Sequence, residues 1–246
     1  MNNSLLPRTL AIDIGGSGVK AIVLDHGGKP ITSRQRLTTP QPPIPEAVLP
    51  VIDTIVAAQI EAAGDVERIS VGFPGVVQRG VTKNAMNLGP TWDGFNLLAE
   101  LEKRYGKPVR IANDADVQGY GAMQGRGVEL VITLGTGFGS ALFVDGQLVP
   151  NLEMGQHSFR NNQSFEDELG QNALGQISHE VWNQRLLAAI NSLERLFNYD
   201  WLYIGGGNAR LIKVPLPANV TIVSNDLGLL GGIALWQDGS ASELTH

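Results

Sequence analysis

Cysteine is absent from the 246 residues, which excludes disulfides and any cysteine-ligated structural zinc site. No apolar run reaches the roughly 18 residues that a membrane-spanning helix needs. Charge is sparse at 17% of residues, with a net charge of −6 and no basic stretch. A broad phosphate-backbone footprint for nucleic acid is therefore not expected. The dinucleotide fingerprint GxGxxG and the phosphate loop GxxxxGK-Ser/Thr are both missing. The first residues, MNNSLLPRTLAIDIGG, run straight into an apolar strand and leave no room for a secretory signal. The expectation is a cytoplasmic protein that binds neither membrane nor nucleic acid.

What the chain does have is 43% apolar residues, enough for one large domain or two modest ones. It also says nearly the same thing twice. LAIDIGGSGVKAIVLD (10–25) and LVITLGTGFGSALFVD (130–145) align without a gap at an offset of 120. Each reads as an apolar strand, a glycine-rich turn and a second apolar strand. Glycine turns let an anion approach backbone N–H donors closely. One such turn in each half predicts two lobes closing on one phosphate-bearing ligand.

Helical spacing of Val48, Ile52, Ile55 and Val56 predicts a helix over 46–62 ended by Gly64. A second helix is expected over 95–105, capped by Asp93 and stopped by Gly106 and Pro108. A third is expected over 115–124, and the clearest pattern, Ile177 through Leu196, predicts one over 177–197. Strands are expected at 67–73, 109–112, 201–204 and 219–223, with a glycine-rich helix over 228–237. The Pro-rich stretch 38–45 should be an extended loop, and the polar stretch 155–175 a strandless flap. Strands interleaved with helices indicate an α/β fold, and the hairpins predict mixed sheets.

Several polar residues sit where chemistry is possible. Asp13 ends an apolar strand just before the first glycine turn. It reads either as a cap for its own turn or as a Mg2+ ligand, directly or through water, because a carboxylate beside a phosphate needs an intervening cation. Lys20 either neutralises phosphate or is a solvated strand lysine. Thr133, Thr136 and Ser140 add hydroxyls to the second turn, and Gly205–Gly207 follow another apolar strand. Asp114 ends a strand at the position where α/β sheets present groups to ligands. It reads either as a general base toward a hydroxyl or, with Asn113 and Asp116 as alternatives, as a helix cap. Asp116 itself reads as first-turn helix charge. Glu153 and His157 lie in the polar flap, and Asn84, Asn87 and Trp92 precede the second helix. Amides and an indole suit a polyol, although Trp92 equally suits the core.

Together these segments resemble the sugar kinases of the ROK family, most closely its polyphosphate-using glucokinase branch. The resemblance rests on DIGGSGVK (13–20), GFPGVV (72–77), NDAD (113–116), TLGTGFGSALFVDGQLVPN (133–151), IGGGN (204–208) and NDLGLLGGIAL (225–235), in that order. It implies an actin-like, ribonuclease H-like fold with an internal repeat. Residues 1–114, completed by a C-terminal helix at 229–246, would form one lobe, and 115–228 the other. It also implies phosphoryl transfer to a sugar hydroxyl, with Mg2+ and with polyphosphate or ATP as donor, by a homodimer.

By the same resemblance Asp114 would be the general base. Asn87, Asn113, Glu153, Gln156, His157 and Glu166 would face the sugar. Gly15, Gly16, Ser17, Lys20, Gly135, Thr136, Gly137, Gly206 and Gly207 would line the phosphate path, with Asp13 toward the metal. The family reads Glu-x-Gly-His where this chain has Glu153-Met154-Gly155-Gln156, with His157 one residue on. Glutamine donates a hydrogen bond but cannot become cationic, so the identity of the hexose stays open. An ATP-dependent hexose or N-acetylhexosamine kinase and a non-catalytic sugar sensor are the alternatives.

Overall fold

The computed structural model describes residues 6–224 and 227–236. The chain forms two compact units, one of residues 1–121 and 228–246, the other of residues 122–227. The division falls at the end of the third helix, whereas the expected boundary at 114 lies at its start.

In the first unit β1 (Thr9–Ile14), β2 (Val19–Leu24) and β3 (Gln35–Leu37) form an antiparallel meander. The helix α1 (Pro45–Ala63) then carries the chain to β4 (Arg68–Phe73), parallel to β1. A small hairpin of β5 (Val76–Gln78) and β6 (Val81–Lys83) leads to α2 (Leu97–Tyr105). Next come β7 (Val109–Asn113), parallel to β4, and α3 (Asp114–Ala122). Proline at the start of α1 and left-handed Gly106 after α2 are ordinary helix signals. The cap of α2 is Asn96, whose side chain accepts from the Ala99 N–H, and not the expected Asp93. Asp93 instead accepts from the Asn84 N–H at 2.7 Å, holding Asn84 in a left-handed turn.

Strand alternation sends side chains to opposite faces. Leu10, Ile12 and Ile14 pack in one core with Val48, Ile52 and Ile55 of α1. Ala11, Ile22 and Leu24 face the other way.

The second unit is built from β8 (Val128–Leu134), β9 (Phe138–Val144) and β10 (Gln147–Val149), again an antiparallel meander. The stretch 155–175 is not a strandless flap. It holds β11 (Ser158–Arg160), β12 (Gln163–Ser164), α4 (Phe165–Leu169) and α5 (Gln171–Leu174). Phe165 and Leu169 anchor it to the core, and a Ser164–Asp167 capping box starts α4. The helix α6 (His179–Phe197) packs Trp182, Leu186, Ile190 and Leu193 onto Leu130, Ile132 and Leu134. Each fully buried side chain of this size contributes about 1.5–3 kcal/mol. Then β13 (Trp201–Gly205) and β14 (Val220–Ile222) join in parallel.

The described residues end with α7 (Leu227–Leu230) and a 3-10 segment, Gly231–Trp236, so that 227–236 is not one continuous α-helix. Within the first unit Leu229 and Ile233 cover Ala11, Ile22 and Leu24. A Cβ on Gly231 would lie on the Val117 carbonyl, and one on Gly232 would lie 3.2 Å from the Ala11 Cβ. The close approach therefore requires glycine. Residues 237–246 of the expected C-terminal helix lie outside the described residues.

The two large sheets share strand order, β3-β2-β1-β4-β7 and β10-β9-β8-β13-β14, and the same pairing senses. The gapless sequence match does not hold through the turns. Ile14 pairs with Val19 across four residues, whereas Leu134 pairs with Phe138 across three. The partner strand after the second turn is therefore one residue out of step with the offset seen in sequence.

Candidate active site

In the first unit the ends of β1, β4 and β7 bring Asp13, Gly72 and the Asn113-Asp114 pair together. Register places Asp13 opposite both Lys20 and Gly72, and Phe73 opposite Asn113. A Cβ built on Gly72 would lie 3.8 Å from Asp13 Oδ1 and 3.7 Å from Asp114 Cβ. The bare face of Gly72 thus leaves a gap flanked by two aspartates. Lys20 Nζ donates to Asp13 Oδ2 at 2.7 Å. The cation that Asp13 needs is in the first instance the facing lysine, not a free solvated side chain, while Oδ1 remains turned toward Gly72.

Asn113 is the residue that caps α3. Its Oδ1 accepts from the Ala115 and Asp116 N–H groups at 2.8 and 3.3 Å, and its Nδ2 donates to the Gly75 carbonyl at 3.1 Å. Capping by Asn113 leaves Asp114 as the first residue of α3. Asp116 lies in the first turn of α3, as expected, and is buried at 1% exposure.

Within the first glycine turn Gly15 and Gly18 bond each other. The Gly16 and Ser17 N–H groups have no acceptor among the described residues, which suits an anion. Asn87 backs the turn: a Cβ on Gly16 would lie 2.8 Å from the Asn87 carbonyl oxygen. Two contributors escaped the sequence reading because β3 did. Arg36 Nη2 donates to the Ser17 carbonyl at 2.7 Å, and Thr39 Oγ1 to the Gly15 carbonyl at 2.5 Å. Arg36 pairs across the sheet with Lys20, so Asp13, Lys20 and Arg36 stand in one cross-strand row beside the turn. Trp92 is fully buried, its Nε1 donating to the Pro43 carbonyl, so it belongs to the core.

In the second unit the turn 135–137 is held from three directions. Glu166 Oε2 accepts from the Phe138 N–H at 3.0 Å, Gln171 N donates to the Thr136 carbonyl at 3.2 Å, and Asn208 Nδ2 donates to the Gly135 carbonyl at 3.1 Å and to Gln171 Oε1 at 3.2 Å. The Thr136 and Gly137 N–H groups have no acceptor among the described residues. Gly206 has φ +89°, and a Cβ there would sit 2.2 Å from the Leu134 carbonyl oxygen, so only glycine closes this contact. Gly207 opens the 3-10 segment Gly207–Leu211. Gln171 carried no sequence signal, since nothing in its surroundings resembles a phosphate motif.

Glu153 precedes the 3-10 turn Met154–Gln156. Burial, and secondly the charge of Glu166, push its carboxyl above the ordinary glutamate range. The two carboxylates therefore share one neighbourhood. Gln156 and His157 are both exposed, and His157 Nδ1 lies 2.9 Å from the Ser158 carbonyl oxygen. Ser140 is not a phosphate-turn hydroxyl: it is buried and bonded to the backbone on both sides of Glu153.

The family model described as ROK family matches residues 9–156. The chain belongs to the ROK family. Among relatives, this ROK chain is 32% identical to the polyphosphate glucokinase of Mycobacterium tuberculosis (strain H37Rv) over 251 residues, covering 96% of this chain and 92% of that one. It is similar to the crystal structure of the inorganic polyphosphate/ATP-glucomannokinase from Arthrobacter sp. strain KM, with a TM-score of 0.85 and 33% identity over 94% of this chain and 100% of the other. A ROK family glucokinase from Streptomyces griseus, solved with glucose and AMPPNP, shares the fold at a TM-score of 0.77 and 21% identity, covering 93% of this chain and 98% of that one. The α/β architecture with two mixed sheets is the ROK fold, which resembles the actin-like, ribonuclease H-like superfamily.

Two further features bear on what a ROK chain of this kind can hold. Among the described residues no group of three or more His, Asp or Glu could cage a metal ion, and no helix is long and apolar enough to cross a membrane. Mg2+ needs no such cage: it keeps several waters and takes one or two carboxylates, and Asp13 Oδ1, facing Gly72, is an oxygen of that kind. In the second unit a cavity of about 370 Å³ is lined by Gly206–Arg210, Ile222 and Val223.

Proposed function

We propose that this ROK chain transfers a phosphoryl group from inorganic polyphosphate to the 6-hydroxyl of glucose or a related hexose, with ATP as a second donor. The observation that carries the reading is the pair of aspartates across Gly72, beside a glycine turn with unspent N–H donors, in a chain over 30% identical along nearly its whole length to polyphosphate glucokinases.

In this reading Asp114 accepts the proton of the 6-hydroxyl as that oxygen attacks the terminal phosphorus. The new O–P bond forms as the bond to the next phosphate oxygen breaks, giving a hexose 6-phosphate and a donor shortened by one phosphoryl group. In the first unit the side chains of Asn113 and Asn87 orient the sugar. In the second unit Glu153, Gln156, His157 and Glu166 are the side chains assigned to sugar hydroxyls. The N–H groups of Gly16, Ser17, Thr136 and Gly137, with Lys20 and Arg36, receive the donor phosphates. Asp13 would hold Mg2+, directly or through water, and the ion when bound would neutralise charge on the transferring group. A homodimer belongs to the same reading.

The cavity at Gly206–Arg210 favours nucleotide use as a second activity, since its size suits a base or ribose. The test is phosphorylation of glucose, mannose and glucosamine with Mg2+, comparing nucleotide-free polyphosphate with ATP. Product with polyphosphate is expected. Product with ATP alone would move the chain to the nucleotide-dependent kinases, and sugar binding without product from either donor would make it a sensor.

A further inference from the structure

Ser140 bonds the backbone on both sides of Glu153, a residue whose side chain the proposed reaction uses. It lies on β9, 3% exposed, two residues after Phe138. Its hydroxyl donates to the Leu152 carbonyl at 2.6 Å and accepts from the Met154 N–H at 3.1 Å. Those are the backbone groups immediately before and after Glu153. One side chain thus pins both flanks of Glu153 to β9. A second stitch lies two residues on, where a Cβ on Gly155 would sit 2.2 Å from the Phe138 carbonyl oxygen, so the backbone turn lies directly on the strand.

The stitching matters because of what Glu153 is. It stands in a non-helical conformation (φ −97°, ψ 53°) just ahead of the 3-10 turn Met154–Gln156. No regular secondary structure fixes its backbone. A carboxylate with this backbone, in a neighbourhood shared with Glu166, needs an external restraint to keep one orientation. β9 supplies it, and β9 begins at Phe138, whose N–H is held by Glu166 beside the second glycine turn. The same strand therefore connects the turn assigned to the donor with the carboxylate assigned to the sugar.

We infer that Ser140 is a positioning residue for Glu153: its paired hydrogen bonds set the carboxylate for hexose hydroxyls and so tune sugar affinity without touching sugar. The inference rests on the proposed sugar-binding role of Glu153. Replacing a purely structural serine would weaken the fold and change affinity by the same factor with or without the Glu153 carboxylate; a positioning serine acts only through Glu153.

The experiment is a double-mutant cycle on the full chain, with glucose and mannose affinity measured by titration calorimetry and KM and kcat measured alongside. Ser140→Ala should weaken hexose binding by about tenfold, the weight of one or two hydrogen bonds, and raise KM far more than it lowers kcat. Ser140→Thr, which keeps the hydroxyl, should restore most of the affinity. In a Glu153→Gln background, where the carboxylate to be oriented is already gone, Ser140→Ala should cost almost nothing further. An undiminished tenfold loss in that background, or wild-type affinity in Ser140→Ala, would overturn the inference. Should Ser140→Ala fail to fold, Ser140→Cys carries the same cycle, because a thiol fills the site but bonds weakly. A wild-type chain that binds no hexose would remove the proposed function and this inference with it; hexose binding that is insensitive to Ser140 would remove the inference alone.

Discussion

Gly72→Ala separates function from folding at one atom. Gly72 is the fifth residue of β4, and its φ lies outside the left-handed region. An added Cβ would meet Asp114 Cα at 3.5 Å, Asp114 Cβ at 3.7 Å and Asp13 Oδ1 at 3.8 Å, all ordinary van der Waals contacts. Nothing has to move, so the fold should accept alanine. Losing glycine's freedom in the unfolded chain stabilises by about 0.4–1 kcal/mol where the native backbone is compatible. At this size that corresponds to a Tm rise of about 1–4 °C. The methyl, however, occupies the gap between the two aspartates that the proposed chemistry uses. A substrate oxygen kept out of that gap by up to about 1 Å should react roughly 10–100-fold more slowly.

The assay is a coupled measurement of hexose 6-phosphate formation beside a calorimetric melt, with Gly206→Ala as the contrast. There φ is +89° and the Cβ would sit 2.2 Å from the Leu134 carbonyl oxygen, so a loss of about 2–4 kcal/mol is expected. Wild-type turnover in Gly72→Ala would refute the assignment of the gap. A Tm loss matching that of Gly206→Ala would refute the steric argument.

Asp114→Asn should keep the fold and hexose binding and lose at least about 100-fold in kcat, read by calorimetry and turnover together; near-normal turnover would remove Asp114 as base. Glu153, held above the ordinary glutamate value of 4.5 by burial and by Glu166, binds its proton more tightly folded than unfolded. Its contribution to stability is therefore full below the unfolded pKa and is lost as pH rises through the folded one. Glu153→Gln, neutral throughout, should melt above wild type at about pH 8, with a difference that closes as pH falls toward the ordinary glutamate value; a constant difference in melts across that range would count against it. Glu129 is fully buried and accepts from the Gln124, Gly125 and Arg126 N–H groups and the Tyr203 hydroxyl, at 2.7, 2.7, 3.0 and 2.9 Å. Glu129→Gln would turn an N–H2 toward donors and should cost about 2–4 kcal/mol, seen as a lower Tm and faster proteolysis at 123–127.

Legibility followed the range of each interaction. The hairpins were readable because alternation and turn residues are local; Asp145 and Gly146, both at positive φ, make the two-residue turn that Asp-Gly predicts. The long helices were readable for the same reason: α1 and α6 carry apolar stripes closed by Gly64 and Asn198. The stretch 155–175 was misread because its two short helices and two short strands hold too few residues each to show a period. It is ordered by Phe165, Leu169 and the hydrogen bonds of Glu166 and Gln171, all made to distant chain. Asp93 looked like a cap and Asn96 was one, because side-chain geometry and not residue type decides between neighbouring candidates.

By itself the sequence determined the α/β class, the paired glycine turns and the family motifs, since each is written in contiguous residues whose backbone preferences are local. Only the tertiary structure decided that Lys20 neutralises Asp13, that Arg36 lies over the first turn, that Asn113 rather than Asp114 caps α3, and that Glu166 and Asn208 brace the second turn. Those partners stand 7, 19, 2, 28 and 73 residues apart. Strand register fixes the first two and a single rotamer the third. The last two depend on where distant loops end, and no local pattern in the chain encodes that.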